Sequence, residues 1–322
     1  MITHLLLLTL GLTMIILGAN FLTDGASLIA RKFKVSEFII GLTIVAIGTS
    51  APELVVSITS ALQGSTEMAV GNVVGSNIFN TLVILGIVAI IRPIRLNRQN
   101  SFETIPTTII TSSLLLVFSL SLFGVDFMPK TITRFEGIIL LLGYGYFMFK
   151  SVFQKSGEKT ISAHSEAQEV ITNKKMAISV VMVLAGLAGL IFGGDMFLEN
   201  AAIAAEMMGI SKYVISVTLM AGGTSMPELV SCVVAARKGK SQMALGNVLG
   251  SNIANILLVL GAASTISPLS LSGSSFIDIS LVVLGSFTLL VSIYTFGKHK
   301  IDRIEGVVMI AIYLGYLFYL LG

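Results

Sequence analysis

Long apolar runs separated by short polar breaks pattern this chain from end to end. A helix that crosses a bilayer needs about 20 mostly apolar residues. The runs predict ten such helices, at His4–Ala30, Val35–Leu62, Met68–Ile91, Thr104–Phe123, Thr133–Phe153, Met176–Ala201, Ser211–Ala236, Gln242–Ile266, Phe276–Phe296 and Arg303–Leu321. The first run, Leu5 to Leu17, lacks the basic start and the small-residue cleavage site of a signal peptide, so it predicts a retained helix. One long polar stretch, Gln154–Lys175, leaves five spans on either side of it. Residues 1–153 and 176–322 therefore read as two five-helix units joined by the linker 154–175.

Composition agrees with a lipid environment. Hydrophobic residues make up 54% of the chain and charged residues 11%, with a mean hydropathy of +0.93. A soluble domain has about 25% charged residues, so there is too little polar material here to coat a globule. A formal charge of +3, spread over short clusters, gives no reason to expect nucleic acid. The single cysteine, Cys232, rules out an internal disulfide framework. Basic residues also set orientation. Of the 20 Lys and Arg, 17 fall at or just beyond the ends of the odd-numbered spans, and the opposite side keeps only Lys130, Arg134 and Lys212. The positive-inside rule then predicts a cytoplasmic linker and both termini outside.

Internal repetition adds more. The run Gly48-Thr-Ser-Ala-Pro-Glu-Leu-Val55 recurs as Gly223-Thr-Ser-Met-Pro-Glu-Leu-Val230, and Gly71-Asn-Val-Val-Gly-Ser-Asn-Ile78 recurs as Gly246-Asn-Val-Leu-Gly-Ser-Asn-Ile253, both at an offset of 175. A weaker echo links Arg134-Phe-Glu-Gly137 to Arg303-Ile-Glu-Gly306. Because each half has an odd number of spans, the second half must insert upside down. The expected fold is an all-α membrane protein of ten transmembrane helices in two inverted repeats, an arrangement that places a transport site near the midplane.

Glu53 and Glu228 lie deep in the second and seventh spans, each directly after a proline. A carboxylate at the centre of a membrane helix costs about 2.5–3.5 kcal/mol on insertion scales. A lone one could be a structural, hydrogen-bonded residue; duplication inside near-identical flanks favours function. Thr49 and Thr224 stand four residues before the glutamates and Ser50 and Ser225 three before, on the same helix face. Pro52 and Pro227 remove a backbone donor, which is expected to free carbonyls near Ala46 and Ala221 from helix bonding. Asn72, Ser76 and Asn80 form a stripe repeated by Asn247, Ser251 and Asn255; hydrogen bonding between helices is the bland account, a coordination shell the sharper one. Gly71, Gly75, Gly246 and Gly250 permit close helix approach. Carboxylates with hydroxyl, amide and carbonyl oxygens suit calcium, which takes six to eight flexible oxygen ligands. No His or Cys cluster suits zinc or copper, since His4, His164 and His299 lie near span ends or in loops. Two negative charges would be neutralised by one divalent or two monovalent ions. An empty, doubly charged site is costly to carry across the barrier, which points to an exchanger, and a third monovalent ion would make it electrogenic.

These motif pairs resemble the alpha repeats of the cation/calcium antiporter superfamily, most closely its prokaryotic sodium/calcium exchangers, over nearly the whole chain. The resemblance implies that Glu53 and Glu228 bind calcium with Thr49 and Thr224. It implies sodium sites at Ser50, Ser76, Ser225 and Ser251 with the carbonyls of Ala46 and Ala221, and alternating access in which spans one and six slide against the other eight. It also implies that sodium and calcium compete. Many prokaryotic members carry an aspartate where this chain has Asn255, whose first-half counterpart is Asn80; the difference bears on stoichiometry and potassium dependence. Asn20 and Asp24 recur as Asp195 and Glu199, most simply as solvated residues near opposite membrane faces.

A proton/calcium exchanger of the same superfamily would use the same glutamates, because a buried carboxylate can carry a proton. A cation channel fits an inverted repeat poorly, and an intramembrane hydrolase lacks an evident nucleophile. No cofactor and no obligate protein partner is expected; the implied partners are calcium, sodium and the bilayer of a cell (inner or plasma) membrane. The short linker leaves no room for a folded calcium-sensing domain.

Overall fold

The computed structural model describes residues 2–97, 100–119, 131–153, 172–209, 222–271, 275–294 and 300–321. Its apolar runs are helical, the state that satisfies every backbone group where water is absent. Six described helices are long and apolar enough to cross a membrane, and the pair Glu37–Thr49 and Ala51–Leu62, bent by 43°, makes a seventh crossing. Two shorter apolar helices, Phe102–Phe118 and Ile277–Val291, lie in the expected fourth and ninth spans. The expected seventh span is described only over Met226–Arg237, residues 210–221 falling outside the described residues. Burial is inverted relative to a soluble protein: Leu6, Leu142, Val181, Leu184 and Phe318 are exposed, while Glu53, Asn80, Glu228 and Asn255 are wholly buried. The chain is a mostly helical, multi-pass membrane protein.

Two helices pass through the centre of the fold. One is Thr66–Phe79, continued by a π-helical turn over Asn80–Ile84 into Leu85–Ile91. The other is Ser241–Ala254, continued by a π-helical turn over Asn255–Leu260 into Gly261–Ile266. Such turns interrupt the regular ladder and concentrate at functional sites; here both begin at a candidate residue, Asn80 or Asn255. A third π-helical turn, Gly41–Val45, precedes Ala46–Thr49. That segment packs on the second central helix, where a Cβ on Gly246 would lie 2.2 Å from the Phe38 carbonyl and one on Gly250 2.4 Å from that of Leu42. Gly71 and Gly75 have no such neighbour among the described residues.

Outside this centre, α1 (Ile2–Phe33) lies antiparallel along α2 (Asn173–Met207). Gly11 faces Gly193 and Phe197, Gly18 faces Gly186, and Gly25 faces Ser179. A Cβ on Gly18 would stand 2.7 Å from the Gly186 carbonyl, so glycine lets the two backbones touch. His4 Nδ1 meets Asn200 Oδ1 at 2.9 Å at one end of the pair.

The halves also clasp each other at their ends. Strand Ile94–Arg95, after the first central helix, pairs with Lys300–Ile301 of the second half; Leu269–Ser270, after the second central helix, pairs with Thr131–Ile132 of the first. Beside these ribbons lies the weak sequence echo, whose role is now plain. Thr133 and Glu136 cap one helix, with Thr133 N donating to Glu136 Oε2 at 2.7 Å; Asp302 N donates likewise to Glu305 Oε2 at 2.7 Å. Arg134 Nη2 donates to the Ile266 carbonyl and Arg303 Nε to the Ile90 carbonyl, each at 3.1 Å, at the C-terminal ends of the opposite half's central helices.

Candidate functional site

Proline decides where the second span bends. Pro52 has no N–H, so it cannot bond to the carbonyl four residues back, that of Gly48. The helix breaks at Ser50 (φ −81°, ψ 7°) and restarts at Ala51, which puts Glu53 in a new first turn. In the second half, Ser225 (φ −88°, ψ 9°) precedes Met226–Arg237, with Pro227 and Glu228 in its first turn. Both carboxylates therefore stand at helix N-termini, where the backbone dipole favours negative charge. Both are fully buried.

Hydrogen bonds cross between the halves. Ser225 Oγ donates to Glu53 Oε1 at 3.0 Å, and Ser50 Oγ donates to Glu228 Oε1 at 3.1 Å. Ser251 Oγ adds a longer contact to Glu228 Oε1 at 3.4 Å, and Ser76 Oγ lies 3.3 Å from Thr224 Oγ1. The expected residues thus converge: Glu53, Glu228, Thr49, Thr224, Ser50, Ser225, Ser76 and Ser251 belong to one interlocked cluster. Asn80 and Asn255 are buried at the π-helical turns, and Asn255 Nδ2 donates to Asn77 Oδ1 at 3.0 Å. Asn252 Nδ2 donates to Thr81 Oγ1 at 2.7 Å, which adds Asn77, Thr81 and Asn252 to the bridge between halves; Asn77 and Asn252 lie inside the repeated motif but off the stripe, and Thr81 lies outside the motif.

Three expectations change. The carbonyl of Ala46 is not released, since it accepts Ser50 N–H at 3.0 Å; the bond that proline removes is the one to Gly48. Ala221 lies outside the described residues. The stripe asparagines Asn72 and Asn247 do not turn their oxygens toward the carboxylates. Asn247 Oδ1 accepts from Thr49 Oγ1, and Asn72 Oδ1 from Thr224 Oγ1, both at 3.2 Å. Asp24 is also more than a solvated end: Lys238 Nζ lies 2.8 Å from its Oδ2 and Lys240 Nζ 3.6 Å from its Oδ1.

Glu53 Oε2, Glu228 Oε2, Asn252 Oδ1, Asn255 Oδ1 and both amide atoms of Asn80 are buried with no hydrogen-bond partner among the described residues. Buried polar atoms are normally paired. All but one of these are acceptors, and a cation is what completes a set of acceptors. A cavity of about 270 Å³ reaches this cluster at Thr224 and Pro227, lined also by Pro52, Val55, Gly194 and Asp195. Toward the Asp24 end, the space among Leu22, Thr23, Val45, Ser231 and Asn247 has no room for a water molecule.

Comparison with known proteins gives a consistent result. The family described as sodium/calcium exchanger protein matches residues 3–153 and 178–322. A relative described as putative antiporter CaxA from Alkalimonas amylolytica is 34% identical over 326 residues, covering 99% of each chain. The sodium/calcium exchanger MaX1 of Methanosarcina acetivorans is 33% identical over 341 residues, covering 98% of this chain and 97% of its own. The solved structure of the sodium-calcium exchanger NCX_Mj soaked with Na+ and Sr2+ superposes with a TM-score of 0.83 at 29% identity, covering 98% of this chain and 97% of that one.

Proposed function

This chain belongs to the sodium/calcium exchanger family, and on that premise we propose that it exchanges calcium for sodium across a cell membrane, electrogenically and by alternating access. The reading takes residues 1–153 and 176–322 as inverted five-helix repeats, with the linker 154–175 cytoplasmic and both termini outside. The observation that carries it is the reciprocal wiring of the glutamates. Each has one oxygen fixed by a serine of the opposite half and one oxygen left open.

One calcium neutralises the pair. Its ligands in this reading are Glu53 and Glu228 through their open oxygens, with Thr49 and Thr224. Calcium accepts such a flexible oxygen set, whereas magnesium keeps its waters and demands an octahedron. Sodium ions occupy overlapping positions at Ser50, Ser76, Ser225 and Ser251, with Asn80 and Asn255 beside the carboxylates. The carbonyls of Ala46 and Ala221 complete this set. Loading by either ion offsets the repulsion between the carboxylates, so the loaded carrier changes sides and the empty one does not. The α1–α2 pair is the moving part: glycines on both helices join them backbone to backbone into one body, which borders both the cavity and the Asp24 end.

The test is uptake of radioactive calcium into proteoliposomes loaded with sodium. Uptake that requires the outward sodium gradient, and grows with a membrane potential of the correct sign, is the expected result. Uptake driven equally well by a proton gradient without sodium would assign the chain to proton/calcium exchange instead.

A further inference from the structure

The two stripe asparagines carry a role that the exchange reading does not assign. A threonine hydroxyl has one proton and two lone pairs. If the proton points at a carboxylate, the oxygen is a hydrogen-bond donor; if the proton is held elsewhere, the oxygen is a cation ligand. Thr49 Oγ1 donates to Asn247 Oδ1 and Thr224 Oγ1 to Asn72 Oδ1, both at 3.2 Å and both across the two halves; the other hydroxyl contacts are longer, Thr49 Oγ1 to the Ala46 carbonyl at 3.5 Å and Thr224 Oγ1 to Ser76 Oγ at 3.3 Å. The amides are themselves pinned. Asn247 Nδ2 donates to Ser231 Oγ at 3.0 Å and lies 3.3 Å from Cys232 Sγ. Asn72 Nδ2 donates to Ser57 Oγ at 3.0 Å and to the Glu53 carbonyl at 3.2 Å. Ser231 Oγ and Cys232 Sγ give their own protons to the Glu228 and Ala244 carbonyls, and the Glu53 carbonyl can only accept, so each Nδ2 faces acceptors and each Oδ1 is left to face the threonine.

Building on the exchange reading above, we propose that Asn247 and Asn72 are positioning residues: each takes the hydroxyl proton of the opposite half's threonine, Thr49 or Thr224, and so presets that oxygen as a calcium ligand. The asparagines themselves do not touch the ion. Since the wiring crosses, damage to the second-half asparagine acts on the first-half threonine, and the converse. A preset hydroxyl saves the reorientation that binding would otherwise require, so its loss appears in calcium affinity.

The experiment is a double-mutant cycle on equilibrium calcium binding to the purified full-length protein. One hydrogen bond is worth about fivefold in affinity. Asn247→Ala is expected to weaken calcium binding about fivefold in the wild type. It should weaken it about fivefold again in Thr224→Val, yet less than about twofold in Thr49→Val, where the hydroxyl it serves is gone. Asn72→Ala should give the mirror pattern. An asparagine that only holds helices together would weaken binding by the same factor in both threonine backgrounds, and that result overturns the proposal, as does unchanged affinity. If Asn247→Ala does not fold, Ser231→Ala removes the pin and keeps the amide; a loss of about twofold in the wild type and Thr224→Val, absent in Thr49→Val, is expected, and equal losses would refute it. Wild-type protein that binds no calcium brings down the exchange reading and this proposal together. Calcium-binding wild type with no cross-half coupling brings down this one alone.

Discussion

In the first half, Asn72 Nδ2 reaches Ser57 Oγ and the main-chain carbonyl of Glu53; in the second, Asn247 Nδ2 reaches Ser231 Oγ and Cys232 Sγ, and Ser231 Oγ instead donates to the Glu228 carbonyl at 3.0 Å. The residues one turn past the glutamates are Val56-Ser57 in one half and Ser231-Cys232 in the other. Yet the inner face is nearly the same in both: a serine from the far half on Oε1, an open Oε2, and a threonine whose proton goes to the far half. The comparison teaches that the symmetry is strictest where both halves must present equal oxygens to one ion. One layer out, different side chains supply the same support.

The largest effect should come from the strictest layer. Glu53→Gln and Glu228→Gln are each expected to reduce sodium-driven calcium flux by at least about 100-fold, with membrane insertion intact, because each removes a charge that the other half cannot replace. Near wild-type flux in either variant would break the equivalence. Next come the amide positions. Asn255→Asp places a third carboxylate beside the pair, facing the Asn77 amide that Asn255 now contacts. It should change the sodium Hill coefficient or the reversal potential, and an unchanged value of both would remove Asn255 from the coupling.

The outer layer should be far more forgiving. Cys232→Ser makes the second half resemble the first, and the hydroxyl remains a partner for Asn247 Nδ2; calcium affinity should change by less than about twofold. A larger change would mean the thiol does more than fill space. The smallest effect is expected at the Asp24 end of the site. There Lys238 and Lys240 tie Asp24 of the α1 helix to the loop before the second central helix, while the matching first-half loop is the neutral Gln63-Gly64-Ser65. The ion pairs are partly exposed, and such pairs contribute little. Asp24→Asn should alter the maximal exchange rate by less than about threefold, the effect fading as ionic strength rises. No response at low salt would make this end as neutral as the other.

Much of this was legible in the amino-acid sequence, for definite reasons. Membrane helices announce themselves by apolar length, and duplicated motifs bracket a buried glutamate in each half. Sequence spacing fails where a hydrogen bond joins residues far apart in the chain. Thr49 and Asn247 are 198 residues apart, and nothing local distinguishes an amide that ligates an ion from one that holds a hydroxyl. The Ala46 carbonyl keeps its helix bond because proline acts on the carbonyl four residues before itself, which is Gly48. Thr133-x-x-Glu136 and Asp302-x-x-Glu305, by contrast, carry a capping-box pattern that could have been read directly. The π-helical turns at Asn80 and Asn255 have no such signal in the sequence.

The central claim is that two carboxylates from opposite halves hold a single calcium. Equilibrium binding stoichiometry of purified protein in detergent, with sodium as competitor, tests it most directly. The account predicts one sodium-displaceable calcium per chain, lost in Glu53→Gln and lost equally in Glu228→Gln. Two calcium ions per chain, or full binding retained by either single variant, would contradict it.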